Sequence, residues 1–310
     1  MLIFKRLCFL LSLISASIFA QQPTEKFSQL NDFGSNPGEL SASYFTSTKA
    51  SKLLVVLLHG CSQNGEQLAK QSGFLGLAKK HQFNLLIPQQ SKNNNIQSCF
   101  NWFSPQDQQR NQGETLSLKQ MVDTLKTRTQ ATQVYIAGLS AGGAMASAML
   151  VNYPNLFNAG AIISGIAYPC ADNLTKAISC MRNGPSQTIK QLVQQSLTQN
   201  SEQKTWPRLS VWTGDKDNVV APINALRIAQ QWASLSGIGT KPKKFKHDGY
   251  QQKQWRNSTG ELLVELFQVT DMGHGIAIND SIENGSEATP FLLKAPLSAA
   301  NEIVKFWFEN

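Results

Sequence analysis

Short apolar runs and longer amphipathic stretches alternate along this chain. Apolar runs typical of strands occupy residues 53–58, 83–88, 133–137, 160–164, 209–213 and 262–269. Helical spacing occupies stretches between them, such as 116–127 and 223–235. Strands that alternate with helices predict an α/β fold, in which a mostly parallel sheet carries helices on both faces. The 310 residues, 41% of them hydrophobic, are enough to bury one large core.

The segment 170–207 interrupts this alternation. It is rich in Gln, Ser and Asn and has helical spacing around Leu192. Insertions of this kind often lie over a functional site, so we expect a small cap here within a single domain that spans residues 21–310. A plain surface excursion is the alternative interpretation.

The first twenty residues have the layout of a secretory signal peptide. Lys5 and Arg6 precede the apolar run 7–14, and small residues allow cleavage after Ala20. The run is too short for a stable membrane anchor. We therefore expect a secreted protein, extracellular or periplasmic, without stable membrane insertion.

Charge gives little further information. The formal net charge is +8 and becomes +6 when Lys5 and Arg6 are removed. Basic residues are spread thinly apart from 241–246, and no basic motif with interleaved aromatic residues is present, so we expect no nucleic-acid partner. We expect the protein to be a monomer.

Secretion would place the cysteines in an oxidising compartment, where they can form disulfides. Without Cys8, four cysteines remain in an oxidising compartment, and they allow three pairings. Cys61 and Cys99 follow apolar runs that would be neighbouring strands, whereas Cys170 and Cys180 bracket a short loop. We therefore predict the disulfides Cys61–Cys99 and Cys170–Cys180. Neither Cys-x-x-Cys nor His-Glu-x-x-His spacing occurs, so no metal and no cofactor is expected.

One serine has the context of a catalytic nucleophile. Ser140 lies in Gly138-Leu139-Ser140-Ala141-Gly142, between the strand pattern 133–137 and the small, helix-compatible stretch 143–150. A strand, a sharp glycine-flanked turn and a helix are typical of the nucleophile elbow of α/β-hydrolases. The alternative is a glycine-rich loop with an ordinary serine.

A serine nucleophile needs a histidine and a carboxylate, which follow it in that fold. Of the four histidines, His81 and His247 have surface contexts, whereas His274 lies between glycines just past the strand 262–269. Asp215 and Asp217 both follow the strand 209–213 and compete for the role of the acid. Either aspartate could instead cap its own turn.

The loop after the first apolar run predicts an oxyanion hole. In α/β-hydrolases this loop supplies one backbone N–H, and the residue after the nucleophile supplies the other. We assign these donors to Cys61 and Ala141. His59, which begins the loop, is interpreted as a structural residue.

Together these motifs resemble the catalytic domain of the polyhydroxybutyrate depolymerase-like esterases. The similarity begins at about residue 53 and extends to the C-terminal helix. It is carried by His59-Gly60-Cys61-Ser62-Gln63, Cys99-Phe100-Asn101-Trp102-Phe103, Gly138-Leu139-Ser140-Ala141-Gly142, Gly214-Asp215-Lys216-Asp217 and Gly273-His274-Gly275. In that family the acid is the third residue after the loop glycine, which favours Asp217. The resemblance therefore implies a Ser140–Asp217–His274 triad in an α/β-hydrolase fold.

The resemblance implies a secreted serine esterase that acts through an acyl-enzyme, with poly- or oligo-(3-hydroxybutyrate)-type polyesters as substrates. Feruloyl and acetyl-xylan esterases share the motifs and are the alternative. A hydrolase-fold protein that only binds a ligand is a further one. Phe100, Trp102 and Phe103 form a predicted aromatic patch for the substrate, although core packing is equally consistent with Phe100 and Phe103.

The stretch 299–308 is typical of a closing amphipathic helix. Depolymerases that digest crystalline polyester usually add a polymer-binding domain after this point, and a second attachment site raises the effective concentration at the solid. We therefore expect faster hydrolysis of soluble oligomers and short esters than of crystalline polymer. We also expect weak, salt-sensitive adsorption to the solid.

Overall fold

A computed structural model describes residues 27–200, 203, 205–279 and 290–309. The predicted signal peptide lies outside these residues. Within them, no helix is both long enough and apolar enough to cross a membrane.

Twelve strands and nine α-helices form in this part of the chain. The strands are β1 (Ser28–Gln29), β2 (Ser41–Phe45), β3 (Leu53–Leu58), β4 (Asn84–Gln89), β5 (Gln133–Leu139), β6 (Ala159–Ile163), β7 (Arg208–Gly214), β8 (Lys243–His247), β9 (Tyr250–Arg256), β10 (Leu262–Val269), β11 (Ile276–Ile278) and β12 (Leu292–Lys294). The helices are α1 (Gly65–Gln71), α2 (Phe74–His81), α3 (Pro105–Gln108), α4 (Gly113–Thr129), α5 (Ala141–Asn152), α6 (Leu174–Asn183), α7 (Ile189–Gln199), α8 (Ile223–Leu235) and α9 (Ala299–Phe308).

Ten strands form one sheet in the order β1-β2-β4-β3-β5-β6-β7-β10-β9-β8. The six strands from β4 to β10 pair in parallel, whereas β1 and β2 at one edge and β9 and β8 at the other are antiparallel. The predicted α/β fold with a mostly parallel sheet is confirmed. The outer antiparallel strands were not predicted, because β8 is largely exposed and lacks an alternating apolar pattern.

The apolar run of β3 is continuous because helices cover both faces of the sheet. Leu54, Val56 and Leu58 pack into a core formed with α4, α5, α7 and α8. Val55 and Leu57 point to the opposite core, which contains residues of α1, α2 and α9. Successive side chains of a strand alternate between faces, so a strand buried on both sides has no polar positions.

The predicted cap segment forms α6 and α7. In α7, Leu192 is fully buried in the core. Gln231 of α8 donates through Nε2 to Ser196 Oγ at 3.0 Å and to the Tyr168 carbonyl at 2.7 Å. Residues 189–199 are therefore packed into the body of the domain, and α6 is the part of the segment that reaches the site described below.

A buried carboxyl group at the start of α4 holds two loops together. Glu114 Oε2 accepts a hydrogen bond from the Asn101 backbone at 2.8 Å. Its Oε1 accepts from Asn101 Nδ2 at 2.8 Å and from Gln90 Nε2 at 2.6 Å. Burial, with a smaller contribution from the charge of Asp107, raises the pKa of Glu114 to about 8 despite these donors.

Gln90 continues this network to the loop after β3. The Gln90 backbone N–H donates to His59 Nε2 at 3.1 Å, and His59 Nδ1 donates to the Gly60 carbonyl at 2.7 Å. Burial lowers the pKa of His59 to about 4, so the ring is neutral at pH 7. Because Nε2 accepts from the Gln90 N–H, the single ring proton is on Nδ1. The Gly60 carbonyl and the Cys61 N–H belong to the same peptide group, so this hydrogen bond orients the Cys61 amide. His59 thus has the structural role predicted for it.

The raised pKa of Glu114 predicts how stability depends on pH. The folded state binds the proton of Glu114 more tightly than the unfolded chain does, so Glu114 makes the free energy of unfolding fall as the pH rises from about 4.5 to about 8. Below about pH 6.5 the lowered pKa of His59 opposes this fall. Burial also raises the pKa of Glu265, to about 7, so part of this fall has a second source. Glu114→Gln removes one titrating group and should flatten the profile, most clearly between pH 7 and 8.

Urea unfolding at several pH values measures this profile. Glu39→Gln changes an exposed carboxyl group and is the matched control, which should keep the slope of the unmodified protein. If Glu114→Gln kept the same slope as well, Glu114 would not be the group that titrates.

Candidate active site

Ser140 occupies a strained turn between β5 and α5. Its backbone has φ 57° and ψ −118°, a conformation that residues other than glycine rarely adopt. The Ser140 N–H donates to the Ile163 carbonyl of β6 at 2.9 Å. A side chain at Gly138 would collide with the Gly142 carbonyl, and one at Gly142 would collide with the Leu58 carbonyl. The glycines that the sequence analysis singled out are therefore required by close backbone packing.

His274 lies between Ser140 and Asp217. Its Nε2 is 2.9 Å from Ser140 Oγ, and its Nδ1 is 2.8 Å from Asp217 Oδ2. The carboxylate can only accept from Nδ1–H, which leaves Nε2 as the acceptor for the serine hydroxyl. The side chains of His274 and Asp217 are 6% and 0% exposed. The arrangement can remove the proton of Ser140 Oγ, and the imidazole and carboxylate that would do so are almost fully shielded from solvent.

The second oxygen of Asp217 is also bound. Oδ1 accepts hydrogen bonds from the backbone N–H groups of Val219 at 3.0 Å and Val220 at 2.8 Å. These two bonds fix the carboxylate, so the loop keeps Oδ2 of Asp217 oriented toward His274.

Asp215, the competing acid, has another role. Its backbone N–H donates to the Val269 carbonyl at 2.9 Å, and its Oδ1 accepts from the Asp271 N–H at 2.7 Å. These bonds hold the loop after β7 to the loop that carries His274. Asp215 therefore acts as a turn residue, while Asp217 reaches the imidazole.

The loop after β3 packs directly against the serine. A Cβ placed on Gly60 would lie 3.3 Å from the Ser140 Cβ, and the Gly60 N–H donates to Gln63 Oε1 at 2.7 Å. Cys61 is joined to Cys99, with 4.2 Å between their Cα atoms, and Cys170 is joined to Cys180. These are the pairs predicted from the sequence.

The two predicted oxyanion donors have suitable surroundings. Cys61 lines the same cavity as Ser140. Ala141 is the first residue of α5, where a backbone N–H has no acceptor within its own helix. The helix dipole adds positive potential at this end. A carbonyl oxygen of a substrate could thus meet one N–H from each side.

A cavity of about 130 Å³ opens at this point. Its lining is mostly apolar and consists of Gly60, Cys61, Gln63, Leu139, Ser140, Met181, Val219, His274 and Phe291. A larger cavity of about 420 Å³ lies between α3, α6 and α7, and neither Ser140, Asp217 nor His274 lines it. The chemistry of the lining, not the volume, identifies the smaller cavity as the candidate site.

The predicted aromatic patch does not belong to this lining as far as the chain is described. Phe100 is fully buried and packs against His59, with 5.0 Å between ring centroids. A fully buried ring cannot contact a substrate, so the substrate-binding role assigned to Phe100 is wrong and its role is core packing. The rings of Trp102 and Phe103 contact each other edge to face, with 5.5 Å between their centroids. Substrate contact by these two residues stays a prediction.

Sequence reasoning missed three apolar residues of the cavity. Met181 comes from α6, Val219 follows Asp217 by two residues, and Phe291 has its ring edge-on to His274 at 5.9 Å. Of the three, only Val219 could have been found from the sequence, because it lies two residues after Asp217 in the loop that follows β7, here called the acid loop. In the described ranges, no group of three or more His, Cys, Asp and Glu residues is placed to hold a metal ion.

Comparison of the sequence with known proteins identifies related esterases. The model of the family described as Esterase PHB depolymerase matches residues 40–244. Poly(3-hydroxyalkanoate) depolymerase C of Paucimonas lemoignei is 36% identical over 278 residues, which cover 87% of this chain and 65% of that protein. The chain thus spans slightly less than two thirds of that relative's length.

Two further similarities agree. Feruloyl esterase B of Neurospora crassa is 28% identical over 224 residues, covering 68% of this chain and 75% of that protein. The acetyl xylan esterase structure from Aspergillus awamori has a TM-score of 0.72 at 22% identity, covering 80% of this chain and 94% of that one, which bears on the fold alone. With a family model that matches more than half of its residues, this chain belongs to the PHB depolymerase family of esterases.

Proposed function

We propose that this protein is a secreted serine esterase that hydrolyses carboxylic ester bonds of poly- or oligo-(3-hydroxybutyrate)-type polyesters. The observation that carries the proposal is the line of hydroxyl, imidazole and carboxylate from Ser140 through His274 to Asp217, at 2.9 and 2.8 Å. This line begins at a small apolar cavity. A protein that only binds ligands would not need it.

The first half of the reaction forms an acyl-enzyme. Ser140 Oγ attacks the ester carbonyl carbon while His274 Nε2 takes the hydroxyl proton. The carbonyl oxygen becomes an oxyanion that accepts hydrogen bonds from the Cys61 and Ala141 amides. When the intermediate collapses, the C–O bond to the alcohol breaks, and the alcohol leaves with the proton from His274.

The second half releases the acid. His274 takes a proton from water, which attacks the acyl carbon and forms a second oxyanion in the same hole. Collapse breaks the bond to Ser140 Oγ, which recovers its proton from His274. Asp217 holds the imidazole in the productive tautomer and stabilises its charged form in both halves.

The aliphatic polyester is favoured as the substrate by two observations. The relative with 36% identity is named a poly(3-hydroxyalkanoate) depolymerase. The cavity lining offers Met181, Val219 and Phe291, and among the described residues it holds no charged side chain that would select a charged substrate. Feruloyl or acetyl-xylan ester hydrolysis is the second candidate, supported by relatives that carry those names.

Export is supported by the disulfides Cys61–Cys99 and Cys170–Cys180, which persist in oxidising compartments, and by the sequence of residues 1–20. Because one chain supplies the whole triad, we propose that a monomer is sufficient for activity.

A substrate panel tests the proposed function. We expect the protein to hydrolyse 3-hydroxybutyrate oligomers with a higher kcat/KM than methyl ferulate or acetylated xylan, with p-nitrophenyl acetate as a small reference ester. Ser140→Ala should reduce turnover of all active substrates by on the order of a million-fold, as in subtilisin, which is the measured precedent. Its melting temperature should stay close to that of the unmodified protein.

Retained turnover in Ser140→Ala would contradict the mechanism. A kcat/KM for feruloyl or acetyl-xylan esters above that for the oligomers would instead leave the mechanism intact and replace the substrate class.

The two aspartates of the acid loop make a matched pair of variants. Asp217→Asn should reduce kcat by roughly ten-thousand-fold, because an amide favours the wrong histidine tautomer. Asp215→Asn should have a small effect on kcat, because Asp215 contacts the backbone of the loop and not the imidazole. Steady-state kinetics of both variants on p-nitrophenyl acetate gives the comparison. Equal damage, or greater damage from Asp215→Asn, would show that the acid is assigned wrongly.

A further inference from the structure

Four of the five large apolar side chains that are exposed in the described part of the chain lie at or near the catalytic cavity. Val219 and Phe291, which are 40% and 36% exposed, line the cavity itself. Leu174 and Ile178, at 59% and 43%, belong to α6, the helix that supplies Met181 to the lining. The fifth, Ile96 at 83%, lies in the loop before Cys99, outside α6 and outside the cavity lining. Exposed apolar residues that cluster commonly mark an interaction surface.

Helix geometry aligns the residues of α6. Leu174, Ile178 and Met181 are spaced i, i+4 and i+7, so they share one face that is about 10 Å long at 1.5 Å per residue. Ala177 and Cys180 are buried on the side of α6 that faces the domain. We call Leu174, Ile178 and Met181 the α6 strip. It begins in solvent and ends at the cavity that contains Ser140.

The strip is fixed relative to the triad. The Ala221 N–H donates to the Met181 carbonyl at 2.8 Å. Asn224 Nδ2 donates to the carbonyls of Cys180 at 3.0 Å and Met181 at 3.1 Å. Ala221 and Asn224 follow the loop that positions Asp217, and the Cys170–Cys180 disulfide attaches the same turn of α6 to Cys170. The end of the helix therefore cannot move without moving the acid loop.

We propose that the α6 strip, continued by Val219 and Phe291, is the surface on which the enzyme adsorbs to solid aliphatic polyester. This inference rests on the proposed function, since it names the physical form of the substrate. An apolar chain is the occupant that fits, because the strip offers no hydrogen-bonding side chain for a sugar. A second copy of this protein on the strip would cover the mouth of the cavity through which the substrate must enter.

An apolar adsorption surface and a charged one respond differently to salt. Apolar burial is not screened by salt and is strengthened by sulfate, whereas attraction between surface charges is weakened within a Debye length. Adsorption through the α6 strip should therefore resist salt, in contrast to the weak, salt-sensitive adsorption that the sequence alone predicts.

Depletion of protein from solution onto poly(3-hydroxybutyrate) film tests this surface. All proteins carry Ser140→Ala so that the film is not consumed. The test variant adds Leu174→Ser with Ile178→Ser, and the matched control adds Ile96→Ser, the same chemical change at a more exposed isoleucine. Conservative replacement by Leu174→Met with Ile178→Leu keeps the strip apolar. Melting temperatures establish that each variant is folded.

We expect the serine double variant to adsorb at least about tenfold more weakly, the loss that follows from leaving two partly exposed aliphatic side chains out of the contact. The Ile96→Ser control and the conservative double variant should adsorb as the parent does, at low and high salt. With Ser140 restored, the serine double variant should keep its kcat/KM on p-nitrophenyl acetate and clear film more slowly.

Unchanged adsorption in the serine double variant would overturn the inference, as would an equal loss in the Ile96→Ser control. Sedimentation could also show dimers that form at higher protein concentration and are absent in the serine double variant. That result would overturn the inference as well, because the strip would then be a contact between two copies of the protein. Failure of the proposed function is a different result: the unmodified protein would then not hydrolyse esters at all.

Discussion

The turn at Ser140 is the constraint on which the other parts of the site depend. A left-handed backbone conformation at a serine costs on the order of 1–3 kcal/mol, and it persists only where the surroundings impose it. Here β5 and α5 impose it, since every residue of α5 is buried and the Ser140 N–H is bonded to β6. The approach of Gly142 to the end of β3 leaves no room for a side chain. The strain keeps the hydroxyl at the sheet edge, where His274 and the loop of Cys61 meet it.

A network of buried polar groups connects the loops around this turn. His59 orients the Gly60–Cys61 peptide, and Gln90 links His59 to Glu114. Glu114 in turn binds the backbone of Asn101, two residues after Cys99, which is joined to Cys61. Each of these groups would be costly to bury without its partner, so the network admits few alternative arrangements. The loop proposed to supply an oxyanion donor is therefore held in place by the protein itself, as electrostatic stabilisation of a transition state would require.

The sequence predicts the central fold because its strands are buried on both faces and its helices follow them at regular intervals. Strands β3 and β10 and helix α8 agree with the predicted ranges to the residue. The antiparallel edge formed by β8 and β9 was missed because both strands consist mainly of polar residues and lack an alternating apolar pattern. Motif spacing locates Ser140 and His274, whereas the choice between two aspartates two residues apart came from a family resemblance. Glu114, Met181 and Phe291 gave no local signal, since their roles come from contacts between segments distant along the chain. Phe100 shows the converse error, because an aromatic cluster near a motif is as consistent with core packing as with binding.

The central claim is that His274 and Asp217 activate the hydroxyl of Ser140 in particular. Reaction with diethyl p-nitrophenyl phosphate, followed by mass mapping of the peptides, measures this most directly, because phosphorylation selects an activated serine and does not depend on the natural substrate. The account predicts one diethylphosphoryl group per chain, on Ser140, with Ser62 on the neighbouring exposed loop unmodified. A label on Ser62 or another serine, or an unlabelled protein that still hydrolyses esters, would contradict it.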